Sequence, residues 1–300
     1  MTTVCVFGGT GFLGRRLVRR LAGEGATVRV AVRSPERARS VPDLDRVQVL
    51  RADVREPASV AAVVAGCDAV VNAVSAYVEK AGVSFESVHV EGARAVAQES
   101  LAAGVSRLVL VSGIGADPAS ASPYIRARGH GELAARQAFP GCVVVRPGAM
   151  FGTGDALFGA LADIVRLSPV VPLIGGGRTR VQPVYVEDVA EAIARVLAGS
   201  PGQTHELAGP GVYTLRELVE FVLRLVGKRR LLVPVPFAVA EIQARLFELL
   251  PNPPLTTGQV DLLRRDNLAG GELPGLSELG IRAKGIEEIV PGYVGRARGD

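Results

Sequence analysis

Val4-Cys5-Val6-Phe7-Gly8-Gly9-Thr10-Gly11-Phe12-Leu13-Gly14 joins an apolar, strand-like run to a glycine-rich turn. The segment Phe12 to Ala22 that follows has helical period. Gly8 permits a tight turn, Gly11 removes the side chain that would block a pyrophosphate, and Gly14 lets the helix pack against the sheet. The helix N-terminus then offers N–H groups and a partial positive charge to phosphate oxygens. Strand, loop, helix and next strand fall in the order that a dinucleotide-binding unit requires, which favours a ligand over a bare glycine turn. Gly8, Thr10, Gly11, Phe12, Leu13 and Gly14 are therefore candidate cofactor contacts.

Working outward, short β-branched runs alternate with Ala/Leu/Arg segments of helical period as far as residue 146. The spacing predicts strands at Val4 to Phe7, Val28 to Val32, Val47 to Leu50, Ala69 to Val74, Leu108 to Val111 and Val143 to Val145. All are apolar throughout or nearly so, as strands of a parallel sheet are when helices cover both faces. The predicted class is α/β, a doubly wound parallel Rossmann sheet with a smaller C-terminal substrate or docking region. Residues 1–150 form the nucleotide-binding domain; residues 151–300 are mixed and return to it in part at about 181–200. The second half is rich in Gly and Pro, as at Gly175-Gly176-Gly177 and Asn252-Pro253-Pro254. Helices are expected there at Val189 to Leu197 and Leu215 to Val226, the latter with Thr214 and Glu217 as a capping box.

The choice of dinucleotide rests on the end of the second strand. An acidic residue there would accept from the ribose hydroxyls of NAD, but this chain has Arg33. A guanidinium suits the 2′-phosphate of NADP, with Arg15 or Arg37 as a second donor, so NADP(H) is favoured over NAD(H). Otherwise Arg15, Arg16, Arg19 and Arg20 are a solvated helix face. Asp53, just after the third strand, suits the adenine amino group or a turn cap.

Composition narrows the function classes. With 300 residues, 48% of them hydrophobic, the chain has ample material for a packed core. Its longest apolar stretches, such as Leu231 to Ala240, are broken by Pro234 and Pro236 and fall short of the ~20 residues that span a bilayer. The Met-Thr-Thr start leads directly into a strand, without the features of a secretory signal, so a cytoplasmic location is expected. Cys5, Cys67 and Cys142 lie far apart and form no metal-binding spacing; they are read as buried, reduced thiols. Net charge is +4, but aromatics are only 5% and Trp is absent, which argues against nucleic acid as a partner.

These residues, together with Asn72-Ala73-Val74, Arg146-Pro147-Gly148 and the later Val181-Gln182-Pro183-Val184-Tyr185-Val186-Glu187-Asp188, resemble the short-chain dehydrogenase/reductase superfamily in its extended, epimerase/dehydratase-like form. The phrases Val111-Ser112-Gly113-Ile114, Ser122-Pro123-Tyr124-Ile125-Arg126-Ala127-Arg128 and Leu262 to Asn267 look most like an atypical branch. That branch holds the NADPH-binding accessory subunit of respiratory complex I and its bacterial relatives. The resemblance implies that Val54, Ala73, Val74, Tyr124, Arg128 and Pro147 also line the nucleotide. It further implies a link to complex I or to quinone metabolism.

Active members of the superfamily use a Tyr-x-x-x-Lys pair as acid/base. Here Tyr124 is followed four residues on by Arg128, whose planar fork does not reproduce the lysine's contact with ribose hydroxyls. The family's catalytic Ser/Thr falls near Ile114, and its helical Asn near Glu91. The nucleotide is thus expected to serve structure or regulation. The alternative is an active NADP-dependent oxidoreductase or epimerase/dehydratase on a carbonyl or sugar-like substrate. His130 sits six residues beyond Tyr124, on another helical face, and is read as a surface residue; His89 and His205 show no partner pattern.

From Phe237 to Leu250, Ile242, Leu246, Phe247, Leu249 and Leu250 recur at helical spacing. Core packing is the expectation for this helix; packing on the substrate cleft, docking on a membrane surface beside Lys228-Arg229-Arg230, or contact with a larger complex are the alternatives. The resemblance adds a membrane-associated respiratory complex as a partner and a peripheral place at the inner membrane.

Overall fold

The computed structural model describes residues 2–38, 41, 44–80, 82–199, 202–250 and 255–295. The side chain of Arg37 and the stretch Asn252 to Pro254 lie outside the described residues.

The first half runs β1 (Thr3–Phe7), α1 (Gly14–Gly23), β2 (Thr27–Val32), β3 (Val47–Arg51), α2 (Pro57–Val64), β4 (Ala69–Asn72), α3 (Gly92–Ala102), β5 (Arg107–Val111), α4 (Pro123–Ala138) and β6 (Val143–Pro147). The second half runs α5 (Ala156–Leu167), β7 (Val170–Ile174), α6 (Val186–Ala198), β8 (Thr204–Leu207), α7 (Leu215–Val226), β9 (Leu231–Val235), α8 (Phe237–Phe247) and α9 (Thr257–Leu262), with several short turns and bridges.

Seven strands form one parallel sheet in the order β8-β6-β5-β4-β1-β2-β3. Continuous burial explains the continuous hydrophobicity. Cys5 and Phe7 join an apolar core with Val60, Val63, Val64, Val96 and Ala97 from α2 and α3, while Val4 and Val6, alternating with them, are equally buried with Leu17 and Val18 of α1. Each such side chain, removed from water on either face, contributes about 1.5–3 kcal/mol. α1 packs on α6, and α3 packs between α2 and α4.

Local chemistry sets several boundaries. β4 stops at Asn72, short of the predicted Val74, because the Asn72 side-chain carbonyl turns the chain by accepting from Val74 N at 3.2 Å. α6 begins at Val186, before the predicted Val189, with Glu187 and Asp188 in its first turn to complement the helix dipole. α7 has the predicted capping box, Thr214 with Glu217, and ends on Gly227 at φ +67°.

The chain divides into two compact units. The first comprises 1–147, 186–207 and 270–282; the second comprises 148–185, 208–269 and 283–300. The sequence pattern carried one return to the first unit; the structure has two, the second at 270–282. The second unit has its own core around Phe151, Phe158, Val165, Leu218 and Val222. Its β7 and β9 run parallel as a separate pair. No described helix is long and apolar enough to cross a membrane.

The expectation of core packing for α8 is corrected. Ala240 and Ala244 are its buried residues, packed with Val260, whereas Ile242, Leu246 and Leu249 are 61, 62 and 83% exposed. Two alanines one turn apart allow close approach of the backbone, and that approach turns the larger aliphatic side chains outward.

Candidate functional site

In the strand order, β1 lies between β2 and β4, and the crossovers diverge on either side of it, so the C-terminal ends of β1 and β4 open a crevice. Gly8 occupies it at φ +80°, and a Cβ there would stand 2.6 Å from the Ala73 carbonyl oxygen. A Cβ on Gly14 would meet the Gly8 oxygen at 2.1 Å. Gly14 thus serves contact between the helix and the loop itself rather than the sheet. Gly11 differs: a Cβ would meet only the Gly8 oxygen, at 3.2 Å. The surface beyond it is open. α1 has no side-chain cap and no acidic residue in its first turn, so no capping side chain stands in the way of an anion there.

A cleft of about 870 Å³ extends from this loop, large enough for a dinucleotide. Gly8, Thr10, Gly11, Arg33, Asp53, Val54, Ala73 and Val74 all line it, with Ser75, Ala76 and Arg55. The other loop candidates lie beside it. Leu13 and Gly14 are buried at the start of α1, and Phe12 carries the Arg16 guanidinium 4.2 Å over its ring. Pro147 is buried at the end of β6, its carbonyl accepting from Ile114 N at 3.1 Å.

Arg33 is exposed on the cleft rim, and Arg15 stands 5.7 Å over Phe12. The solvated-face reading fails for Arg16, which is 7% exposed, donates to the Phe12 carbonyl at 2.6 Å and lies 3.1 Å from Glu187. Packing of α6 against α1 accounts for it. The Asp53 carboxylate is already gripped by Arg55, whose Nε donates at 3.0 Å and Nη2 at 2.5 Å. Those hydrogen bonds hold its pKa below the usual carboxylate range. This pairing leaves Asp53 less free to meet an adenine amino group than sequence spacing suggested.

α4 brings Tyr124 and Arg128 together over one turn. Arg128 Nη1 donates to the Tyr124 hydroxyl at 2.7 Å and to Ser75 Oγ at 3.1 Å, and Nη2 donates to the Val111 carbonyl at 3.4 Å. Burial opposes the guanidinium charge, but the nearby phenol oxygens offset it and its pKa stays raised. Arg128 Nε and Ser112 Oγ are both buried without a protein partner. They line a small cavity of about 10 Å³ with Asn72 and His89. That volume and those polar atoms suit one water.

His89 is the residue that sequence reasoning missed. Its ring and those of Tyr77 and Phe85 surround the Tyr124 ring, each at 5.5 Å. Its Nε2 lies 3.0 Å from the Ala76 oxygen. Burial, with the Arg128 charge, depresses its pKa to about 4, so it is neutral. A turn of π-helix at Glu86–Glu91 carries it there, and the only sequence signal was an apolar flank, Val88 and Val90. Glu91 is exposed, and Ile114 is aliphatic where the resemblance expects a hydroxyl. His130 is exposed between two glycines that must be small: a Cβ would come within 2.3 Å of Pro118 N at Gly129 and 2.0 Å of the His89 carbonyl oxygen at Gly131. His205 is buried on β8, with Nδ1 unpartnered and its pKa lowered by burial. Among the described residues, no group of three or more His, Cys, Asp or Glu could hold a metal.

Comparison with known proteins gives one consistent picture. A family described as NAD(P)H-binding matches residues 8–150. The Arabidopsis thaliana mitochondrial NADH dehydrogenase (ubiquinone) 1 alpha subcomplex subunit 9 is 37% identical over 82% of this chain, which spans 63% of that protein's length. The Rattus norvegicus subunit of the same name is 33% identical, with 94% of this chain and 77% of that one covered. A ceramide reductase from Caulobacter vibrioides is 32% identical over 78% of this chain and 73% of its own. Among solved structures, a Streptomyces venezuelae dTDP-glucose 4,6-dehydratase with NAD bound superposes with TM-score 0.76 at 22% identity, covering 98% of this chain and 96% of that one.

Proposed function

The chain belongs to the family of the mitochondrial NADH dehydrogenase (ubiquinone) 1 alpha subcomplex subunit 9, NAD(P)-binding proteins of the short-chain dehydrogenase/reductase type, and on that premise we propose that it holds NADP(H) for structure or regulation rather than turnover. The observation that carries this reading is the Arg128 fork. Its Nη1 is committed to Tyr124 and Ser75 and its Nη2 to Val111. Both terminal nitrogens of the residue four after Tyr124 are thereby engaged by the protein, where a lysine at that position would take the ribose hydroxyls. Ile114 stands where the resemblance expects a hydroxyl, and the Ser112 hydroxyl lies instead in the small cavity beside Arg128.

The loop Gly8 to Gly14 would hold the pyrophosphate, Val54, Ala73 and Val74 would flank the nucleotide, and Arg33 would pair with the 2′-phosphate. When bound, reduced nicotinamide supplies a hydride; here the protein's groups chiefly bind and exclude water. A ligand that binds only the folded state stabilises it by mass action, so this role needs no turnover. The proposal extends to a partner. The outward aliphatic face of α8 supports association, peripheral and from the cytoplasmic side, with a membrane-bound respiratory or quinone-handling assembly.

The rival reading, an NADP-dependent reductase or epimerase, has the Tyr124–Arg128 contact and the ceramide reductase relative in its favour. The test separates them. Purified protein is expected to carry reduced dinucleotide, visible by its absorbance, that exchanges slowly and is not oxidised by aldehydes, ketones or acyl-chain ketones. Tyr124→Phe should leave occupancy unchanged. A turnover that Tyr124→Phe abolishes would put the reductase reading in its place.

A further inference from the structure

Resting on the dinucleotide reading above, we infer that Asp53 and Arg55 form a specificity element of the cleft: Asp53 is a positioning residue that holds the Arg55 guanidinium, and Arg55 joins Arg33 in receiving a phosphate monoester on the ligand's adenosine ribose. Asp53 thereby moves from adenine recognition to the support of a cation. Sheet register brings the groups together. β2 and β3 run side by side with Val32 opposite Arg51, and Ala52 N donates to the Val32 carbonyl at 2.9 Å. Arg33 therefore leaves the end of β2 next to the point where Asp53 follows β3. Arg33, Asp53 and Arg55 all line the same cleft.

The turn after β3 folds Arg55 back over Asp53. Asp53 Oδ1 accepts from Arg55 N at 3.0 Å, the bond by which an aspartate turns the chain two residues on. Ser59 Oγ accepts from Asp53 N at 3.0 Å and fixes the base of the turn. The guanidinium then meets the carboxylate as a fork, Nε donating to Oδ1 at 3.0 Å and Nη2 to Oδ2 at 2.5 Å, while Nη1 donates to the Gly82 carbonyl. A guanidinium has five N–H donors, so these bonds leave one on each terminal nitrogen for a ligand. The Arg55 side chain is 30% exposed and that of Asp53 is 9% exposed, so the open flank of the pair is the cation.

The charges of the lining favour the same ligand. Lys80 adds a third cation to Arg33 and Arg55, against the single carboxylate of Asp53, so the lining keeps an excess of positive charge. A phosphate monoester carries about −1.5 to −2 charges near neutral pH, and the ribose hydroxyl it replaces carries none. The excess therefore acts on the phosphate and discriminates against its absence. An adenine amino group would need a carboxylate oxygen that is still free, but both Asp53 oxygens already accept from Arg55. Chiefly through the Arg55 side-chain hydrogen bonds, the carboxyl is held below the usual carboxylate range, so the pair stays charged between about pH 5 and 8.

The test loads the full chain with NADH and uses its fluorescence to follow displacement by two probes, adenosine 2′,5′-bisphosphate and 5′-AMP. The wild-type protein is expected to prefer the bisphosphate by at least about tenfold, with a margin that grows as pH rises through about 6, where a phosphate monoester loses its second proton. Arg55→Gln and Asp53→Asn should each cut that margin by about tenfold, and Arg55→Lys, which keeps the charge but not the fork, should restore it in part. Continued displacement by 5′-AMP reports that the cleft of each variant is folded. The proposal is overturned if Arg55→Gln keeps the wild-type margin while Arg33→Ser loses it, a result that leaves the dinucleotide reading standing. It is equally overturned if Asp53→Asn weakens both probes alike, as loss of an adenine contact would. A wild-type protein that binds neither NADH nor either probe would remove the dinucleotide reading, and the specificity element with it.

Discussion

The two units solve the same problem, burying apolar side chains, by opposite means. The first does it with β-branched residues on seven strands of one sheet, helices on either face, and glycines where backbone must meet backbone. The second uses short strand pairs and helices, one of which, α8, packs on alanines and leaves its large aliphatics in water. A sheet whose central strands are covered on both faces opens at the crevice where the crossovers diverge. An incompletely covered unit keeps apolar surface for something else. The first unit thus carries the cleft, and the second an uncovered aliphatic helix face.

The sharpest way to break this contrast is to place a side chain at a backbone contact. Gly14→Val, whose Cβ would fall 2.1 Å from the Gly8 oxygen, should cost more than about 3 kcal/mol and remove any stabilisation by NADPH in thermal melts. Acid should act next, and again on the first unit. His89 has a folded-state pKa of about 4, below its unfolded value of ~6.5. Its contribution is complete above about pH 6.5 and is lost as pH falls toward 4, up to about 3 kcal/mol, and His89→Gln should flatten that part of the pH–stability curve measured by urea unfolding.

The second unit should tolerate, or profit from, change at comparable positions. Gly159 lies within α5, and the place its Cβ would take has no other atom within 4 Å, so Gly159→Ala should raise stability by about 0.5–1 kcal/mol in the same unfolding assay. Smallest of all, the pair Ile242→Gln and Leu246→Gln should change stability by less than about 0.5 kcal/mol. Co-sedimentation with membranes should fall all the same; an unchanged sedimented fraction would remove α8 from the docking account.

The fold was legible because its periodicities are strong. Continuous apolar runs such as Val143 to Val145, the glycine loop and the Thr214–Glu217 box are local signals, each contained within a few residues. The loop's destination was legible too, since the cleft is lined by Gly8, Thr10 and Gly11 together with Arg33 and Asp53 from the ends of neighbouring strands. What stayed hidden depends on long-range contact. His89 meets Tyr124 across 35 residues, and Arg16 is drawn inward by Glu187. Asp53 looked free until Arg55, only two residues on, folded back over it. The outward face of α8 misled for a different reason: helical spacing identifies one apolar stripe, but the two alanines, not the stripe, decide which side faces the core.

Calorimetric titration of NADPH and NADH into the wild-type protein and into Arg33→Ser tests the central claim most directly. Selection of the 2′-phosphate by Arg33 predicts that NADPH binds at least about tenfold more tightly than NADH, and that the substitution removes this margin while leaving NADH affinity unchanged. Absence of heat with either nucleotide at millimolar concentration, or an equal margin in the Arg33→Ser protein, would contradict it.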